Sequence, residues 1–117
     1  MITIKRAYEE PAAADGCRFL VDRLWPRGVS KAEAALDEWY KDVSPSTELR
    51  QWFNHDPARW AEFQQRYRAE LDAKPEAWQP IIGAAKKGDV TLIYSAHDEE
   101  HNDAVVLCDY LKEHLKS

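Results

Sequence analysis

Charged side chains directly follow an apolar segment near residue 20. The run Phe19-Leu20-Val21 has the composition of a buried strand, and the segment 22–28, which reads DRLWPRG, follows it without a break. The carboxyl ends of parallel strands open onto the crevice where α/β proteins bind ligands, so Asp22, Arg23 and Arg27 are predicted to face such a crevice. An arginine there can hold a carboxylate or phosphate through two parallel hydrogen bonds, whereas Asp22 can act as a catalytic proton carrier.

The backbone beyond this strand is predicted to be restricted. Because the residue before a proline avoids the helical conformation, Trp25-Pro26 stays extended, and Gly28 permits a tight turn. Trp25 is therefore expected to line the ligand site beside Arg27. The alternative is that the arginines of this segment form structural ion pairs with Asp22 or Glu33 and fasten the turn to the core.

A second polar segment, 95–103 with the sequence SAHDEEHND, joins the predicted last strand to the predicted last helix and should reach the same crevice. Helical periodicity carried back from Ala104 turns His101 to within about 60° of the core-facing direction, so His101 is predicted as the catalytic acid–base partner of Asp22. Three further residues of the segment are predicted to bind the ligand: Ser95, Asp98 and Asn102. The alternatives are a helix cap for Asp98 and a packed or solvated imidazole for His101.

Metal and nucleotide sites are weaker interpretations. His97 and His101 have the four-residue spacing that can present two imidazoles on one helical face, but the HExxH pattern and an evident third ligand are missing, so neither a metal nor a cofactor is predicted. The segment 52–60, WFNHDPARW, mixes aromatic and basic residues that could stack on bases. Helical spacing favours the core for its aromatic residues, with His55 and Arg59 at the rim of a pocket.

Hydrophobic periodicity predicts the elements that position these groups. Strands are predicted where Ile2 and Ile4 alternate with polar residues, over 18–24 and over 90–94. Helices are predicted to begin at Ser30, at Ser44 or Ser46 and at Asp56-Pro57. A further helical stripe follows Pro75 and Pro80, from Trp78 to Ala85, and Gly88 closes it; a last helix is predicted over about 99–116. The long helical crossover between the two central strands favours parallel pairing. The prediction is a small single α/β domain, 1–117, with a short, mainly parallel sheet and predominating helices.

Composition limits the classes of function. The formal net charge of −5 argues against a general nucleic-acid coat, although a local basic patch remains open. No segment approaches the roughly 18 apolar residues of a membrane span, and the first residues lack a secretory core, so a cytoplasmic protein with no membrane partner is expected. Cys17 and Cys108 lack CxxC spacing and are expected to be reduced, packed thiols.

Three ordered motifs resemble the domain of unknown function 488 family, in its YeaO-like branch: VDRLWPRGVS at 21–30, WFNHDP at 52–57 and VTLIYSA at 90–96. The resemblance covers nearly the whole chain and implies a small α/β domain of bacterial or archaeal cytosol, with no established reaction. In the other branch of the family the loop after the last strand carries a cysteine-histidine-arginine run. Its counterparts here are Asn102, Asp103 and Ala104, so the resemblance implies neither a cysteine nucleophile nor an arginine clamp at those positions.

Two classes of function are compatible with these residues. The first is an anion-binding crevice with acid–base enzyme activity on an anionic small molecule or a nucleotide. The second is a non-catalytic interaction or nucleic-acid-associated module, whose contacts with phosphates would weaken steeply with salt. A cluster that only stabilises the domain is a third interpretation.

Overall fold

The computed structural model describes residues 1–116, in which four strands form one sheet. The strands are β1 (Ile2–Arg6), β2 (Cys17–Leu20), β3 (Glu38–Trp39) and β4 (Val90–Tyr94). Their order across the sheet is β1-β4-β2-β3, and every neighbouring pair is parallel. Strand β4 is central and all five of its residues are buried, as expected of an apolar strand covered on both faces. The predicted α/β class and parallel pairing are confirmed.

Five helices are present among the described residues: α1 (Lys31–Ala34), α2 (Thr47–Phe53), α3 (Trp60–Asp72), α4 (Pro75–Ala85) and α5 (Asp103–Leu115). Ser30 and Glu33 form the predicted capping box at α1. Of the two serines considered for α2, Ser46 is the cap, and it accepts a hydrogen bond from the backbone N–H of Leu49. Asp56 caps a short 3-10 turn that leads directly into α3.

The core has two unequal parts, one on each face of the sheet. Helices α2 to α5 pack on one face, where the largest fully buried side chains include Phe63, Tyr67, Leu71, Ile81, Leu107 and Leu111. A small cluster of Ala7, Leu20 and Ile93 lies on the opposite face beneath Trp25, Leu36 and Trp39. Cys108 is buried, and both cysteines are free thiols, as predicted. Within residues 1–116 no helix combines the length and apolar character that a bilayer crossing requires.

The predicted end of the second strand was wrong. Strand β2 stops at Leu20, so Asp22 and Arg23 lie in a bend beyond the sheet rather than side by side on a strand. The backbone carbonyl of Asp22 instead accepts a hydrogen bond from the indole of Trp39, at 2.7 Å. Because both residues lie outside the strand, their side chains need not point to opposite faces of the sheet.

The predicted start of the last helix was also wrong. Helix α5 begins at Asp103, and its N-cap is Asn102, whose amide oxygen accepts from the N–H of Val105. Asp98 does not cap this helix. It accepts from the N–H groups of Glu100 and His101, at 2.9 Å each, in a local turn that competes with the helix.

Candidate functional site

Polar residues from several loops meet in a cavity of about 350 Å³ beyond the carboxyl ends of β2 and β4. The two predicted polar segments, 22–28 and 95–103, both contribute to its lining. The predicted ligand-site residues found there are Asp22, Arg23, Trp25, Arg27, Ser95 and Asn102. The structure therefore brings most of the predicted residues into one concave site, while His101 and Asp98 lie outside it.

Asp22 joins the two loops. Its Oδ2 atom accepts two hydrogen bonds from Ser95, from the backbone N–H at 2.9 Å and from the hydroxyl at 2.8 Å. Burial raises the pKa of Asp22, while the two bonds from Ser95 and the nearby charge of Arg50 act in the opposite direction. The contact engages Oδ2, and within residues 1–116 no hydrogen-bond donor reaches Oδ1 of this cavity-lining carboxyl group.

A second carboxyl group, that of Asp103, lines the same cavity at the first residue of α5. Burial, and then the negative charge of Asp22, raise the pKa of Asp103 to about 7, against the lowering effect of Arg50. When the charge of one carboxyl group raises the pKa of its neighbour, the two groups titrate as a pair. Near neutral pH the pair therefore gains or loses one proton, which is the property expected of an acid–base or proton-binding site.

Three arginines, Arg23, Arg27 and Arg50, surround this carboxyl pair in the cavity lining. Within residues 1–116 none of their guanidinium groups has an ion-pair partner within 4.0 Å or a side-chain hydrogen bond. The predicted alternative of structural ion pairs is therefore wrong, and the carboxylate of Glu33 bonds to the backbone N–H of Ser30 instead.

The other arginines of the chain are engaged. Four of them form ion pairs with carboxylates: Arg18, Arg59, Arg66 and Arg68. The fifth, Arg6, donates to the backbone carbonyls of Ser95 and Ala96. Among residues 1–116, the arginines without an ion-pair partner or a side-chain hydrogen bond are thus the three that line the cavity.

The turn that carries Arg27 is held by its neighbours and not by its own side chain. The indole of Trp25 donates to the carbonyl of Val29 at 2.6 Å, and the hydroxyl of Tyr8 donates to the carbonyl of Arg27 at 3.1 Å. Gly28 has a φ of 78°, a left-handed conformation that glycine adopts without strain. The backbone is therefore positioned while the guanidinium stays available.

His101 lies apart from the cavity and is occupied by other contacts. Its Nδ1 atom is 3.1 Å from Oδ2 of Asp98, and its ring packs edge-on against Trp60 with centroids 5.2 Å apart. The helical projection that directed it towards the crevice was wrong because α5 begins two residues later. The group that accompanies Asp22 in the cavity is Asp103.

Several lining residues were missed or only partly anticipated. Asp103 was identified only as a counterpart of the family's histidine, although its place at the start of a helix after the central strand is the available signal. Arg50 carries no signal in the sequence, because it lies on the exposed side of a helix predicted from its apolar stripe. His55 lines the cavity, as its predicted rim position suggests, whereas Arg59 pairs with Asp56 and does not contribute to the lining.

Histidines 97 and 101 do not form part of a metal cluster in the structure. Among residues 1–116 there is no group of three or more histidine, cysteine, aspartate or glutamate side chains with the geometry to hold a metal ion.

Comparison with known proteins gives one family along the whole chain. The model of the DUF488-N3i family, described as the inactive DUF488-N3 subclade, matches residues 1–117. The uncharacterised protein YeaO of Escherichia coli (strain K12) is 45% identical over 111 residues, which cover 95% of this chain and 96% of that protein. Uncharacterised proteins Mb3100c of Mycobacterium bovis and Rv3073c of Mycobacterium tuberculosis are each 47% identical over 70 residues, covering 60% of this chain and 59% of theirs. No solved structure matches.

Proposed function

The chain belongs to the DUF488 family, in its YeaO-like branch, and we propose that it binds a small anionic molecule in the crevice between the loops after β2 and β4. The observation that carries this proposal is the set of three unpaired arginines in one cavity, Arg23, Arg27 and Arg50. Guanidinium groups without a protein partner match the geometry of carboxylate and phosphate oxygens. A volume of about 350 Å³ suits a small molecule.

The surroundings of the arginines favour a small ligand over a nucleic-acid strand. The formal net charge of the chain is −5, whereas binding along a phosphate backbone requires an extended basic surface. Asp22 and Asp103 lie among the arginines and, when ionised, would repel backbone phosphodiester groups, which carry no hydrogen-bond donor. The crevice therefore suits one anionic group with a polar hydrogen nearby.

The description of the matching family is one reason to propose binding and not covalent turnover. The matching subclade is described as inactive. The resemblance implies in addition that Asn102 and Ala104 stand where the other branch carries a cysteine and an arginine. Asp22 and Asp103 replace the predicted pair of Asp22 and His101 as the groups that handle a proton. We place this activity in the cytoplasm, since both cysteines are free thiols.

Isothermal titration of the full chain at pH 7 and low salt tests the proposal, with inorganic phosphate, adenosine monophosphate and succinate as probes. At least one probe is expected to bind, and Arg27→Ala is expected to weaken it about tenfold because a charge-assisted hydrogen bond is lost. The matched control is Arg66→Ala, whose arginine pairs with Glu62 outside the cavity. No binding of any probe at millimolar concentration, or an equal loss in the control, would contradict the proposal.

A further inference from the structure

The cavity is lined by three arginines and two carboxyl groups. We infer that it selects an oxyanion that carries a hydrogen atom, such as hydrogen phosphate, over a fully ionised anion of the same shape and charge, such as sulfate. The inference rests on the proposed anion-binding function and specifies its ligand class. Asp22 and Asp103 are the specificity-determining residues, because they face the same space as the arginines that attract the anion.

The chemistry of a carboxylate supplies the discrimination. An ionised carboxylate can only accept hydrogen bonds. When it faces a sulfate oxygen, two acceptors meet and repel, whereas a phosphate that keeps one hydrogen forms a short, charge-assisted bond to the same carboxylate. Hydrogen phosphate and sulfate carry the same charge at pH 8, so the arginines alone cannot distinguish them.

The hydrogen bonds of Asp22 leave one oxygen for this purpose. Both donors from Ser95 reach Oδ2, and no donor within residues 1–116 reaches Oδ1. Those bonds favour the ionised, accepting form of Asp22 and act against the rise in its pKa that burial causes. Oδ1 is then the atom that accepts the ligand's hydrogen.

Asp103 makes the selection depend on pH. Its pKa of about 7 means that it is ionised at pH 8 and carries a proton at pH 6. In the protonated state it can donate a hydrogen bond to sulfate, so the discrimination is expected to be strong at pH 8 and weak at pH 6. Sulfate that binds at pH 8 must take up a proton with it, whereas hydrogen phosphate need not.

Other charged or titratable groups face the carboxyl pair from each neighbouring element. Arg50 projects from α2, Arg23 and Arg27 from the loop after β2, Tyr8 from the loop after β1, and His55 from the loop after α2. The buried phenol of Tyr67 in α3 is also close enough to interact with both aspartates, and burial keeps its pKa well above the ordinary value. The imidazole of His55 lines the same cavity, so it requires its own control.

The test is calorimetric titration of the full chain with sodium phosphate and sodium sulfate at pH 8 and pH 6, in two buffers of different ionisation enthalpy. At pH 8 phosphate is expected to bind about tenfold or more tightly than sulfate, and sulfate binding is expected to take up close to one proton. Asp103→Asn and Asp22→Asn should each reduce this preference, because an amide can donate to sulfate. Asp109→Asn, an exposed substitution elsewhere on α5, should preserve it. In His55→Gln the preference should still fall between pH 8 and pH 6, because Asp103 remains.

The outcomes separate this inference from the function on which it rests. Equal or tighter binding of sulfate at pH 8 overturns the selectivity while anion binding stands. An unchanged preference in both aspartate variants overturns the assignment to the carboxyl pair. If neither anion binds at millimolar concentration, the proposed function and this inference both fail.

Discussion

The two ends of strand β2 use the same residue types in opposite ways. Before the strand, Asp15 accepts hydrogen bonds from Lys5 at 3.2 Å, from Arg18 at 2.5 Å and from the N–H of Ala12 at 3.0 Å. Arg18 also donates from Nε and Nη2 to the carbonyl of Ala34. Burial would raise the pKa of Asp15, but these hydrogen bonds outweigh it and lower the pKa.

Beyond the strand the balance is reversed. Asp22 and Asp103 both have raised pKa values, and the arginines around them have no ion-pair partner in the described chain. Charges that are fully paired fasten one end of the sheet, whereas charges that lack partners remain able to meet a ligand at the other end. Both ends contain arginine and aspartate. The structural cluster differs from the candidate site in that its arginine and aspartate form an ion pair.

The largest effect is expected from Asp15→Ala. It leaves the side chain of Arg18, which is 5% exposed, without its carboxylate, and loss of one partner from a buried pair costs about 3 kcal/mol in the free energy of unfolding. Urea denaturation at pH 7 measures the loss. Glu62→Ala breaks the half-exposed pair with Arg66 and should cost less than about 1 kcal/mol. If both variants lose a similar free energy of unfolding, the ion pair of Asp15 is no more structural than an ordinary surface pair.

Asp103→Asn is expected to stabilise the protein at pH 8. The pKa of about 7 lies above the ordinary value of 3.8, so ionising Asp103 costs the folded state stability that is lost progressively as the pH rises from about 4 to about 7. The amide removes that cost, with an expected gain of about 2 kcal/mol at pH 8 and almost none at pH 4. Chemical denaturation across this range tests the sign, with Asp109→Asn as the control. A gain that does not vary with pH would show that ionisation is not its source.

Asp15 has the opposite pH dependence. Its lowered pKa contributes stability above about pH 3.8, which is lost as the pH falls through the folded-state value. The two ends of β2 are therefore expected to respond in different pH ranges.

Ser95→Ala should have a smaller effect. It removes the hydroxyl bond to Asp22 and leaves the backbone bond, so the pKa of Asp22 is expected to rise further and the free energy of unfolding to fall by about 1 kcal/mol at pH 8. At pH 4, where Asp22 is less ionised, the loss should shrink. The same loss at both pH values would assign the effect to packing.

Arg27→Ala should leave stability almost unchanged, within about 0.5 kcal/mol, because an exposed side chain without a partner contributes little to the fold. Thermal unfolding without added anion measures this. A loss above about 1 kcal/mol would mean that Arg27 belongs to the structural class of charges, as Arg18 does.

Much of the fold could be predicted because its signals are local. The apolar run at 90–94, the capping box at Ser30 and Glu33, and the periodic stripe from Trp60 to Leu71 each reflect interactions within one element. Element boundaries beside the cavity were harder to predict. At Asp98 a short-range turn competes with the helix, and only the folded chain decides between them.

Only the part of the site that follows from the order and direction of the strands could be predicted. Polar residues at the carboxyl ends of parallel strands must converge, so the meeting of the loops at Asp22 and Ser95 was foreseeable. The contribution of Arg50 was not, because it arrives from a helix whose orientation depends on packing. The replacement of His101 by Asp103 likewise depended on a helix start displaced by a few residues.

The sequence by itself determined the family, the α/β class, the central buried strand and the place where polar loops gather, since each is encoded in a contiguous motif or a hydrophobic period. Tertiary structure alone decided which charges pair. Whether an arginine pairs with a carboxylate depends on distances between residues far apart in the chain, as between Arg68 and Glu113. That geometry lowers the pKa of Asp15 through its hydrogen bonds and raises those of Asp22 and Asp103, first through burial, because burial and neighbouring groups set the pKa of each carboxyl group.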